Sequence, residues 1–117
     1  MGPINLTDAD SNAVAAFLRV LNALENIRAT QELINFVKAH ELAPKTFDLL
    51  TLALAETDDS LQVLVAPGGN LSLAATHDLN TARLTIFIGQ ANPPGSRGPF
   101  IDNANVWLNL AKAELQQ

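Results

Sequence analysis

Apart from Gly2 and Pro3 at the start, every glycine and proline of this chain falls in one of three places: Pro44, Pro67 to Gly69, and Gly89 to Pro99. Proline ends a helix by removing a donor and clashing with the preceding turn, and glycine by its large conformational entropy. The three breaks divide the chain into four uninterrupted segments, the longest running from Thr7 to Glu41. The predicted fold class is therefore all-α: an up-down bundle of about four helices, with residues 1–117 forming one domain.

The apolar patterning agrees. Thr7 and Asp10 form a T-x-x-D start that suits a helix N-terminus. The first helix reads as one long element or as two nearly collinear ones broken near Thr30. Pro44 stops it, because Ala43 before a proline avoids helical backbone, and Pro44 then serves in the first turn of the next helix. In helix two, Phe47, Leu50, Leu54, Leu61 and Leu64 recur at steps of three and four, with Thr57 in the one gap. That spacing predicts a heptad seam. The segment ends at "APGG", and Asn70 or Ser72 can cap helix three, whose stripe is Ala75, Leu79, Ala82 and Ile86 with Gly89 as its stop. "LTIFIG" is rich in β-branched residues, but a lone strand would have nothing to pair with, so helix is expected. Residues 90–99 form a stiff Pro/Gly loop, and Ile101, Ala104, Leu108, Ala111 and Leu115 mark the stripe of helix four.

Composition narrows the function classes. A net charge of −5, spread along the chain, lacks the basic footprint that nucleic acid or an anionic membrane surface requires. No apolar run reaches the roughly 20 residues of a membrane span. With no cysteine there is no disulfide, no thiolate metal site and no thiol nucleophile. "MGPINL" has neither a basic n-region nor an apolar h-region, so it is not a signal peptide and reads instead as a domain boundary.

"LTDADSNAVAAFLRVLNALENIR", residues 6–28, resembles the C-terminal helix of the di-haem cytochrome c peroxidase family, of the form L-T-x-x-E-x-x-x-L-x-x-F-L-x-x-L. The matching residues are Leu6, Thr7, Asp10 in the acidic place, Val14, Phe17, Leu18 and Leu21. The likeness covers about a fifth of the chain. It implies a position: a C-terminal segment that follows the haem domains of a longer periplasmic protein. It does not carry peroxidase activity over, because the C-x-x-C-H haem attachment is missing and Met1 is the sole methionine.

The same helix carries surplus apolar residues. Val14, Phe17, Leu18, Val20, Leu21 and Leu24 stand among four alanines, interrupted only by Arg19 and Asn22. One bundle stripe does not need so many. Either the helix is central and covered on two sides by its own bundle, or one side docks on a neighbouring domain or on a second copy, through Phe17, Leu18 and Leu21.

Candidate chemistry is sparse. His40 and His77 are the only histidines, and a paired haem or metal site would need both at one level on facing helices. His40 near a helix end and His77 beside Asp78 read first as structural. Ser72, His77 and Asp78 are triad residue types, but they lie on one helix without a nucleophile elbow. Glu56, Asp58 and Asp59 read as a solvated face, and "PGGN" lacks the lysine of a phosphate loop. Arg97, at the tip of the Pro-rich loop, is a candidate contact for a partner carboxylate or phosphate. The reading that results is a non-catalytic helical accessory or interaction domain with no cofactor of its own. The alternative is a small-ligand carrier, haem among its candidates, using His40 or His77.

Overall fold

The computed structural model describes residues 8–65 and 69–117, with side chains from residue 11 onward. Thr7 and the side chain of Asp10, on which the T-x-x-D cap rests, and the Ala66–Gly68 part of the second break lie outside the described residues. The rest forms four helices: α1 (Asp8–Ala39), α2 (Thr46–Leu64), α3 (Leu73–Ala91) and α4 (Gly98–Leu115). α1 packs mainly on α2, and α3 on α4. Contacts of α2 with α3 and of α1 with α4 close a four-sided bundle, with no diagonal pair touching among the described residues. This is the predicted all-α up-down architecture.

α1 is a single helix through Thr30, whose hydroxyl bonds back to the Asn26 carbonyl at 2.9 Å. It ends at Ala39, two residues before Glu41. Pro44 lies in the turn that follows rather than in the first turn of α2. The reversal is made instead at Lys45, with φ of 70°, in the left-handed region that side chains seldom occupy.

The core is built from Ile27 and Ile34 of α1, Leu50 and Leu64 of α2, Leu79 and Ile86 of α3, and Leu108 of α4, all essentially inaccessible. The predicted stripes of α3 and α4 are buried at each named position. The seam of α2 is rotated from its predicted line. Phe47 is 55% exposed, and the buried face runs through Leu50, Ala53, Leu54, Thr57, Ser60 and Leu64. The cause is size. Small residues bring helix axes closer than large ones, and here Thr57 and Ser60 meet Thr30 and the Ala23 carbonyl of α1. Both hydroxyls are also satisfied by carbonyls four residues back, so burying them costs little.

Gly89 does not stop α3, which continues to Ala91. A Cβ at Gly89 would stand 2.8 Å from the Cβ of Phe100, so glycine is required for the close approach of α4. Ser72 caps α3 by accepting from the Ala75 N–H at 3.1 Å, while Asn70 accepts from the Ser72 N–H and the Thr76 hydroxyl.

Candidate functional site

At 1.5 Å per residue the 32 residues of α1 span about 48 Å, against about 27–29 Å for each of the other helices. The surplus lies at its N-terminal end. Arg19 donates to the carbonyls of Val63, Leu64 and Gly69 at 2.9–3.1 Å, which pins it to the C-terminus of α2. A guanidinium suits these carbonyls, which have no partner within their own helix. Residues before Arg19 therefore run past the end of α2.

An apolar stripe runs through that overrun and on past Arg19 to Leu21. Val14, Phe17, Leu18 and Leu21 are 49%, 61%, 58% and 45% exposed. Their spacing of i, i+3, i+4, i+7 places them on one face of the helix. Ala23, Ile27, Thr30, Ile34 and Val37 are fully buried on the opposite face. So α1 is apolar on two sides, and the bundle covers only one. Phe17 and Leu21 also border a groove of about 470 Å³ that reaches Leu115 at the end of α4. Of the two sequence-level alternatives, self-coverage by the bundle accounts for Val20 and Leu24, which pack half-buried on the core, and leaves the outer stripe bare.

Arg97 is not an exposed loop tip, which corrects the sequence expectation. It is 4% exposed. Its guanidinium donates to the carbonyls of Asn92 and Gln90 and to the Thr46 hydroxyl at 3.0–3.2 Å, and its N–H donates to Glu41. The loop is shorter than expected, because α3 and α4 claim both of its ends. Gln90 and Asn92 expose the last carbonyls of α3, and the buried arginine is what satisfies them.

The two histidines are not brought together. His40 is exposed and stacked on Phe36, with ring centroids 4.3 Å apart, at the end where Arg97 meets Glu41. His77 lies near the start of α3, at the opposite end and about 20 Å away along the axis. Ser72 is spent on its cap. In the acidic run, Asp58 pairs with Arg83 at 2.6 Å, apart from Glu56 and Asp59. Among the described residues, no three His, Asp or Glu side chains converge as metal ligands would, and no helix is long and apolar enough to cross a membrane.

One ionisable pair escaped the sequence reading. Asp78, 7% exposed, faces Glu114 across the α3–α4 seam, with His77 Nδ1 3.2 Å from its carboxylate. Glu114 Oε1 is buried with no donor in reach, and only a protonated Glu114 carboxyl could donate to Asp78. The bond to Asp78 raises the Glu114 pKa first, then burial and the Asp78 charge, while His77 lowers it. A signal was available: Asp78 shares its stripe with Ala75, Leu79 and Ala82, and Glu114 is three residues beyond Ala111.

The linkage has a definite sign. A carboxyl whose pKa rises on folding stabilises the fold fully below its unfolded value, about 4.3, and that contribution is lost as pH climbs through the raised value. Glu114→Gln replaces the proton with a permanent donor. Thermal unfolding followed from about pH 4 to neutrality should therefore show the wild-type midpoint falling relative to the Gln variant. Parallel curves for the two proteins would contradict the raised pKa of Glu114.

No protein-family model matches the chain, and neither does any curated protein or solved structure.

Proposed function

We propose that this chain is a non-catalytic helical docking domain that works through the outer stripe of α1, at the C-terminal end of a longer, periplasmic, cytochrome c peroxidase-like protein. One observation carries the docking reading: Val14, Phe17, Leu18 and Leu21 form a helical stripe, about half exposed, on the side of α1 away from the core. Contiguous apolar surface of this kind marks an interaction site. The likeness of residues 6–28 to the closing helix of that family supports the setting, in which the preceding haem domain covers the stripe. The histidines, exposed and at opposite ends, do not favour the haem-carrier alternative.

In the isolated chain the occupant is a second copy. The stripe bears no charge of its own, and Arg19 is tied to its three carbonyls. A two-fold contact in which the patch meets itself is the economical arrangement. Four half-exposed side chains per copy give an interface at the small end of the range, under about 1,200 Å² in total, so a weak dimer is expected.

Sedimentation of the isolated chain should show a concentration-dependent dimer. Phe17→Asp should shift it to monomer, because an unpaired charge is costly inside an apolar contact. Helicity should be unchanged, since Phe17 lies outside the core. A clean monomer for the unmodified chain would remove the self-docking reading. The setting is tested separately: the full reading frame should carry a C-x-x-C-H upstream of residue 1, and a frame without one removes the peroxidase context alone.

A further inference from the structure

A second apolar surface lies on the bundle itself, between the outer sides of α1 and α2. It is a groove of about 550 Å³, floored by Ala29, Leu33 and Phe36 from α1 and by Leu49 and Leu52 from α2. Phe36 and Leu52 are 47% and 53% exposed, so the groove is open to solvent. Glu32 borders it on one helix and Glu56 on the other. We propose that this groove docks a basic amphipathic helix of a partner protein, its apolar face on the floor and its lysines or arginines along the two acidic rims.

Charge decides the occupant. α2 carries Asp48, Glu56, Asp58 and Asp59 and no lysine or arginine. Asp58 is taken by Arg83, but among the described residues Asp48, Glu56 and Asp59 are in no ion pair. They stand at i−4, i+4 and i+7 from Leu52, the positions that share its side of a helix. On α1, Arg28 lies between Glu25 and Glu32 and bonds to both, which leaves that rim one charge negative. The bond to Arg28 holds the Glu25 carboxyl below its ordinary pKa. Nearby basic groups, His40 and Lys45, are confined to the 40–45 turn at one end. An apolar trough with acidic sides fits the helix-in-groove mode of peptide recognition, in which anchors at i, i+3, i+4 and i+7 meet the floor.

A second copy of this chain does not fit. Among the described residues its exposed apolar helix faces are the α1 stripe, Leu84, Phe87 and Ile88 on α3, and Val106 and Leu110 on α4. The cations nearest them are already engaged: Arg19 with three carbonyls, Arg83 with Asp58 and Lys112 with Gln31. Nor does the groove depend on the α1 stripe, so the two surfaces are tested apart.

The probe is a fluorescein-labelled helical peptide of about 18 residues, long enough to hold a helix, made of leucine and lysine with leucines at the helical period. Fluorescence anisotropy with the full chain should show saturable binding that weakens as salt rises from about 50 to about 300 mM. The informative variant is Leu52→Glu. It adds charge that attracts the peptide but spoils the floor, so groove docking predicts binding about tenfold weaker. Glu56→Gln should weaken binding less, with part of the salt dependence lost. Phe17→Asp should leave binding unchanged. Circular dichroism of each variant checks that the fold is kept. Unchanged or tighter binding to Leu52→Glu would mean general charge attraction and overturn the proposal. Loss of binding in Phe17→Asp alone would place the peptide on the α1 stripe, and no binding to the unmodified chain at low salt would leave no site; either result also overturns it.

Discussion

Arg97→Met should destabilise the domain by about 2–4 kcal/mol, an effect on the scale of losing several charge-assisted hydrogen bonds in a buried place. Arg97 is 4% exposed, and its guanidinium bonds to the Asn92 and Gln90 carbonyls and the Thr46 hydroxyl. Methionine matches the aliphatic stem but leaves these acceptors without a donor. Two of them are the terminal carbonyls of α3, which have no partner within the helix. Arg97→Lys should recover only part of the loss, since one ammonium lacks the planar fork that reaches three acceptors. Urea unfolding of the three proteins measures this. A loss under about 0.5 kcal/mol, the range of ordinary surface changes, would mean that water replaces the arginine and that the clamp is incidental.

Leu50→Ala should cost about 2–5 kcal/mol, while Phe47→Ala should cost about 0.5 kcal/mol or less. Both residues belong to the heptad spacing of α2, and by size alone phenylalanine would be the more damaging loss. Leu50 is 1% exposed and sits in the core, whereas Phe47 is 55% exposed. The truncation therefore opens a cavity at one site and mostly removes solvent-facing surface at the other. Equal losses would restore the seam drawn through Phe47 and move the core boundary of α2. Chemical denaturation with unchanged slope for both variants would show that the folded state keeps its compactness.

Much of this molecule is legible in its sequence. Helix number and the position of the breaks follow from where glycine and proline stand, because their effect is local and nearly independent of context. The stripes of α3 and α4 are legible because large and small apolar residues alternate cleanly there against polar ones. The surplus on α1 is legible too, as too many large residues for one stripe. The sequence does not say which of them are spare. Phe17, Leu18 and Leu21 have the same local character as Leu24, and only the side of α1 on which the bundle packs, together with the point where α2 ends, separates the covered from the bare.

The misreadings share a cause. Gly89 looks like a helix stop until Phe100 of α4 is set against it. Arg97 looks like a free cation in a Pro-rich loop until the carbonyls of α3 are seen to need a donor. Asp78 and Glu114, 36 residues apart, meet only because α3 and α4 run antiparallel. The sequence by itself determined where helices begin and end to within a few residues, and that they must pack on one another. Those are outcomes of backbone stereochemistry and of periodicity within one turn or two. Only the tertiary structure decided which face of α2 is inside, what the two arginines do and how much of α1 is left uncovered. Each of these depends on distances between groups far apart along the chain, which no local pattern encodes.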